Sequence, residues 1–285
     1  MQTRPLGWFE RLRSMPNETP QKMLIVTVFL CLVCAVLVSS AAVFLRPLQE
    51  RNKALDMKKN ILVAAGLMQE GADIEEIFRV VEPKVVDLQT GHYADSIDPT
   101  SYDQRAAAKD RKQSVVIPEE EDLARIRQRP KYGLVYLVRN EAGALKCIIL
   151  PVHGKGLWST MYAFIALQGD ANTVAGITFY EQAETAGLGA EVANPRWDSK
   201  WRDKKVYDEN GNLQIQVIKG RVDPASANAE HQVDGIAGAT LTSRGVTNLV
   251  RYWLGPDGYG PYLSRLREGQ SSGLSVEGGN RGNHS

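Results

Sequence analysis

The longest unbroken apolar stretch runs from Leu24 to Leu45, LIVTVFLCLVCAVLVSSAAVFL, 22 residues without a charge. Wound as a helix at ~1.5 Å per residue it reaches ~33 Å, matching the ~30 Å of hydrocarbon in a bilayer. A secretion signal has an apolar core of only ~7–15 residues. Although Ser40-Ala41-Ala42 offers the small residues of a cleavage site, the stretch is therefore read as an uncleaved single-span anchor. Arg4, Arg11, Arg13 and Lys22 precede it, and Arg46, Arg51, Lys53, Lys58 and Lys59 follow it. Positive charge on both flanks leaves orientation undecided by the positive-inside rule.

Beyond the anchor the apolar period changes several times. Leu48 to Met68 spaces its apolar residues as a helix does and is followed by Gly71. IEEIFRVV reads as a second short helix and KVVDLQTG as a strand, and Tyr93 to Arg129 is a polar excursion with helical pieces. Four runs rich in β-branched and aromatic residues follow: YGLVYLVRN, ALKCIILPV, TVAGITFYEQ and LQIQVIKG. NEAG between the first two suits a hairpin loop. Leu241 to Leu254 reads as a helix stopped by GPDGYGP, PYLSRLRE adds a last turn or two, and the Gly/Ser/Asn-rich tail from Gly269 reads as disordered. The expected fold class is α+β, a mostly antiparallel sheet packed by helices. The expected organisation is a terminal segment over 1–23, a membrane helix over 24–45, one folded domain over 46–268 and a tail over 269–285.

Composition removes several function classes. Lys plus Arg number 34 against 33 Asp plus Glu, so no basic surface for nucleic acid is implied. Cys31, Cys34 and Cys147 form neither a disulfide framework nor a zinc set, and Cys31-x-x-Cys34 lies inside the apolar stretch, where packing accounts for it. The four histidines are scattered without a metal-ligand spacing.

Three segments could carry chemistry. GKGLWST, Gly154 to Thr160, sets Leu157 and the flat face of Trp158 beside the hydroxyls of Ser159 and Thr160. Its plain reading is a hairpin exit with a core Trp and a Ser/Thr cap for a helix MYAFIAL. EQAETAGLGAE holds Glu184, Thr185, Gly187, Leu188 and Gly189. Without a third glycine or a βαβ setting it is no dinucleotide fingerprint, and its plain reading is a turn with a solvated Glu. DGIAGATLTS, Asp234 to Ser243, ends in three hydroxyls at the start of the Leu241 helix. Thr240 or Thr242 could simply cap that helix. Alternatively, the free amides and positive dipole end make a phosphate site, at which a threonine hydroxyl flanked by the small Gly238 and Ala239 could be esterified.

Taken together, the three segments resemble the FMN-binding domain family of the C subunits of bacterial sodium-translocating NADH:quinone reductases and the G subunits of Rnf complexes. That family's motif Asp-x-x-Ser/Thr-Gly-Ala-Thr stands here as Asp234-Gly-Ile-Ala-Gly-Ala-Thr240, and its Glu-Thr-Pro-Gly-Leu-Gly loop as Glu184 to Gly189. The chain departs from the pattern at Ala237, in place of Ser or Thr, and at Ala186, in place of Pro. LWST and KKNILVAAGL look like the C-subunit version, and the resemblance spans Met23 to Arg267. It implies one FMN joined covalently to Thr240 by a phosphoester and a flavin transferase that recognises Asp234. The other motif residues, Leu157 to Thr160, Glu184, Thr185, Gly187 to Gly189, Gly238, Ala239 and Thr242, would surround the flavin. It further implies a domain on the periplasmic side of the inner membrane with the N-terminus in the cytoplasm. The other members of a membrane assembly of several subunits would oxidise NADH, reduce ubiquinone and move sodium. An Rnf-type subunit and a membrane-anchored assembly module without redox chemistry are the alternatives.

Overall fold

The structure is a computed structural model that describes residues 16, 19–68 and 71–278, of which 270–278 by backbone alone. The expected segment 1–23 lies mostly outside the described residues. The chain divides into two compact units, Met1–Asp56 and Met57–Ser285.

The first unit is built on helix α1, Pro20–Ala64, which carries Pro47 inside it and continues into the second unit. The anchor and the helix expected from Leu48 are thus one continuous helix. Pro47 is the only residue between them that withholds an amide, and one missing hydrogen bond does not end a helix this long. Among the described residues α1 is the one helix long and apolar enough to cross a membrane. Apolar side chains on all sides of its first part, Leu24, Phe29, Leu30, Leu37 and Phe44 among them, are exposed.

The second unit is built round a five-stranded antiparallel sheet of order β1-β4-β5-β6-β7. Its strands are β1 (Val81–Asp87), β4 (Tyr132–Arg139), β5 (Leu145–Lys155), β6 (Thr160–Gln168) and β7 (Val174–Glu181). Both faces are covered, so the strands are apolar at nearly every position. Along β5 and β6, Ile148, Leu150, Val152, Met161, Ala163, Ile165 and Leu167 enter the larger core. Cys147, Ile149, Phe164 and Ala166 face the other way, onto Ile61, Leu62 and Ala64 at the end of α1. Gly176 on β7 lets that helix in: a Cβ there would lie 2.5 Å from the Ala64 carbonyl oxygen.

The run MYAFIAL is therefore a central strand and not a helix. It is too short to close a stable helix alone, and its two-residue alternation fills both cores while its amides pair with β5 and β7. The polar excursion holds α2 (Ile74–Phe78) before it and α3 (Gln104–Lys109) and a hairpin of β2 (Ser114–Val116) with β3 (Gln128–Pro130) within it. A short helix, α4 (Pro195–Asp198), covers β7. Of the expected strand LQIQVIKG only β8 (Gln216–Val217) forms, paired in parallel with β9 (Gln232–Val233).

Helix α5, Thr240–Leu254, lies across the larger core with Val246, Leu249, Val250 and Trp253 buried. The last helix, α6, runs from Gly260 to Gly278. It passes the expected start of the tail at Gly269, because no proline or cap in that stretch stops the backbone from continuing. Residues 279–285 lie outside the described residues.

Candidate functional site

Three loops meet at the N-terminus of α5. Gly154 to Thr160 contains the turn from β5 to β6, Gln182 to Leu188 leaves β7, and Asp234 to Ala239 leads into the helix. What joins them is the carboxylate of Glu184, which is buried rather than solvated. It accepts hydrogen bonds from the amides of Leu157 (3.1 Å), Trp158 (3.0 Å) and Ser159 (3.1 Å). The Thr242 hydroxyl donates to it at 2.7 Å from the first turn of α5. Burial alone would raise the Glu184 pKa, but the Thr242 hydroxyl and the three amides outweigh it and hold the carboxyl below its ordinary value. The carboxylate is thus a fixed tie between all three sequence motifs. Its approach depends on Gly156, where a Cβ would stand 2.5 Å from Oε1 of Glu184.

Ser159 is occupied as well, since its Oγ accepts from the Ala183 amide at 2.8 Å and its carbonyl from Gly156 at 2.8 Å. Thr160 opens β6, half-buried, and pairs with Lys155. Thr185 is exposed, and its carbonyl oxygen closes the loop by accepting from Leu188 and Ala190. Gly187 is exposed at a φ of +72° and Gly189 is buried beneath Thr242.

Neither threonine caps α5. The N-cap position belongs to Ala239, buried, with no side-chain cap hydrogen bond. The helix therefore starts without a capping side chain for its first amides. Thr240, the first helical residue, is exposed; Thr242, two positions on, is buried. Gly238, at a φ of +73°, makes the bend that brings the chain into the helix, and a Cβ there would come within 2.8 Å of Leu188 Cδ2. Ala237 is exposed. Asp234 is half-buried and engaged: Oδ2 takes Lys200 Nζ at 2.8 Å and Oδ1 takes the Val222 amide at 2.8 Å. Burial raises its pKa less than Lys200 and the amide lower it, so the net shift is downward. Its carbonyl accepts from Trp197 Nε1 at 2.8 Å.

The side chains left open around Thr240 fall into two kinds. On one side the apolar Leu157, Trp158, Leu188 and Leu241 are exposed, with Trp158 67% exposed rather than a core residue. On the other is a cleft of about 290 Å³ that contains Thr240, Ser243, Arg244 and Thr247 of α5 and Lys219 opposite. Lys219 and Arg244 did not stand out in the sequence. The available signal was Arg244 four residues after Thr240, a spacing that puts both on one face of a helix. Such a site suits a ligand that is flat and apolar at one end and anionic at the other. Among the described residues no cluster of His, Cys, Asp or Glu could hold a metal ion.

Known proteins resemble this chain over most of its length. A family model described as an FMN-binding domain matches residues 156–255, which contain the second and third loops and the first from Gly156 onward. The C subunit of the Na(+)-translocating NADH-quinone reductase of Pseudomonas aeruginosa is 50% identical over 259 residues, 90% of this chain and 99% of that relative. The corresponding C subunit of Haemophilus ducreyi is 51% identical over 245 residues, 86% of this chain and 93% of the relative. Among solved structures, Shewanella oneidensis NqrC superposes with a TM-score of 0.69 at 32% identity, over 75% of this chain and 97% of that one. The C subunit from Parabacteroides distasonis gives 0.60 at 26% identity, over 77% and 97%. These relatives bear the C-subunit name, not that of the Rnf G subunit. The chain belongs to the C-subunit family of the Na(+)-translocating NADH-quinone reductases, oxidoreductase complexes of which it is one subunit, and it carries that family's FMN-binding domain.

Proposed function

We propose that this chain relays single electrons through one FMN held on Thr240 by a phosphoester bond. The observation that carries the reading is the Thr240 hydroxyl, exposed on the uncapped first turn of α5 between an apolar rim and a basic cleft. The residues fit such a group. Amides at the start of α5 and the positive end of its dipole favour a phosphate there. A Cβ at Gly238 would come within 2.8 Å of Leu188 Cδ2, so the bend before Thr240 packs directly against the apolar rim. When bound, the flavin supplies an aromatic ring that takes up and releases electrons. Leu157, Trp158 and Leu188 shield that ring from water, and Glu184 fixes the loops that present them. An ester to the chain keeps the group in place while electrons pass and removes the entropy of rebinding.

The reading extends to the setting. A flavin transferase makes the link, and Asp234 serves it by holding the 220–234 segment in one conformation through Lys200 and Val222. Ala237, within the motif, is exposed and leaves the attacking hydroxyl untouched. Helix α1 anchors the chain in the inner membrane with its N-terminus cytoplasmic and the FMN domain periplasmic. Partner subunits oxidise NADH, reduce ubiquinone and carry sodium.

A denaturing gel viewed under ultraviolet light tests this. The full chain, coexpressed with its flavin transferase, is expected to show a fluorescent band, and peptide mass analysis to place the added mass on Thr240. Thr240→Ala removes the band while Thr242→Ala retains it. A dark wild-type band would favour an assembly module without a flavin, and a fluorescent Thr240→Ala band would place the flavin on a residue other than Thr240.

A further inference from the structure

Resting on that reading, we propose that the cleft beside Thr240 receives the phosphodiester of the attached flavin, with Arg244 and Lys219 holding its anionic oxygens. The helix itself separates the two ends of the ligand. At about 100° per residue, Thr240, Arg244 and Thr247 lie within ~60° of one another on α5. Leu241 and Thr242 turn away from Thr240 by ~100° and ~200°. Thr242 points to Glu184 and so to the Leu157–Ser159 turn. The apolar rim is therefore reached over Leu241, and the cleft over Arg244.

The cleft is built for an anion. Its walls carry two cations, Lys219 and Arg244, several hydroxyls including Ser243 and Thr247, and no carboxylate. Two of those hydroxyls are committed to the fold: Ser243 Oγ accepts from the Ile236 amide at 3.2 Å, and Thr247 Oγ1 accepts from Val217 at 2.9 Å. Lys219 and Arg244 are exposed and, among the described residues, have no ion pair or side-chain hydrogen bond. Asp223, four residues after Lys219, accepts from the Ala225 amide, and Asp234, ten before Arg244, is turned to Lys200 and the Val222 amide, so neither acid pairs with either cation. A phosphodiester retains one negative charge. Placed on Thr240 Oγ1, it would stand at the positive end of the α5 dipole with the Arg244 guanidinium one turn below it.

The experiment uses the full chain in detergent with purified flavin transferase and a flavin dinucleotide as donor: the Thr240 hydroxyl loses its proton and bonds the flavin phosphorus, the donor's phosphoanhydride breaks, and the nucleoside monophosphate leaves. The variants are Arg244→Ala, Arg244→Glu, Arg244→Lys and the Arg244→Ala/Lys219→Ala double. Lys146→Ala, at the far end of β5, is the control for net charge. Two readouts are taken: the initial rate of fluorescent labelling, and the phosphorus-31 resonance of the fully labelled chain.

Labelling is expected to slow in the order Lys, Ala, Glu at position 244, by about 10-fold in the double variant, with Lys146→Ala at the wild-type rate. The phosphorus resonance is expected to move in the Ala and double variants and to become sensitive to added salt. An unmoved resonance in the labelled double variant overturns the proposal. That holds even if labelling slows, because the cations would then serve the transferase and not the ester. Label on a residue other than Thr240 overturns the underlying reading instead, and peptide mass analysis separates the two failures.

Discussion

Thr240 and Thr242 sit two residues apart at the start of α5, and ~200° of helix rotation sends them into different surroundings. Thr242 is 1% exposed and spends its hydroxyl on the Glu184 carboxylate. Thr240 is exposed at the uncapped helix start. On the closed side every polar group has a partner: the carboxylate takes four hydrogen bonds, and Ser159 takes the Ala183 amide. On the open side are a hydroxyl, two unpaired cations and exposed Leu and Trp side chains. The contrast separates two meanings of a hydroxyl within a motif. A satisfied one builds the scaffold, and a free one on a rigid scaffold is available to chemistry.

The largest effect that could break this comparison comes from its centre. Glu184→Ala leaves three amides and the Thr242 hydroxyl without their acceptor and is expected to destabilise the full chain by about 2–4 kcal/mol. Thermal unfolding followed by circular dichroism measures it. Flavin labelling should fall with it, since the Leu157–Ser159 turn loses its attachment to α5. Thr242→Val removes one of the four bonds and should cost about 1–3 kcal/mol, while the fluorescent band on Thr240 persists. If Glu184→Ala unfolds at the wild-type temperature, the carboxylate is not the tie described here.

The same carboxylate gives the comparison a pH dependence. Its folded-state pKa lies below the ordinary value of 4.5, so the folded protein binds a proton there less readily than the unfolded chain. The resulting stabilisation is fully present above the ordinary carboxylate range. It is lost as pH falls through the folded-state pKa. Glu184→Gln keeps the shape but cannot titrate, and its amide group places two donors against the loop amides. The stability gap between wild type and Glu184→Gln should therefore be widest near pH 7 and narrow as pH falls below 4.5. A gap constant from neutral pH into acid would remove the charge from the explanation.

Local sequence predicted the scaffold better than the site. Strands β4, β5 and β7 and helix α5 were legible because each carries its own period and punctuation. MYAFIAL was not, because an apolar run of that length fits either a buried strand or a buried helix until its neighbours on both sides are known. Glu184 was legible as a motif residue and illegible as a buried one. Its burial depends on three amides 25 to 27 residues upstream and one hydroxyl 58 residues downstream. Trp158 read as core by its type, yet its backbone is the buried part and its ring is outside. The cleft could not be read at all, since Lys219 and Arg244 face each other only after β8 and β9 pair.

The smallest expected effect tests whether the closed side extends to Asp234. Its carboxylate performs two tasks in the structure, an ion pair with Lys200 whose side chain is partly exposed, and a bond from the amide of the half-buried Val222. An exposed ion pair contributes about 0–1 kcal/mol, whereas a backbone amide left without its acceptor costs about 1–3 kcal/mol. Asp234→Asn can keep the amide bond through its side-chain oxygen and loses only the ion pair. Asp234→Ala loses both. If Asp234 acts by fixing the 220–234 segment, labelling by the transferase should fall in the Ala variant and stay close to wild type in the Asn variant. If the transferase reads the negative charge itself, both variants should label equally poorly. The motif's first residue would then belong with Thr240 on the open side of the comparison, not with Thr242 on the closed one.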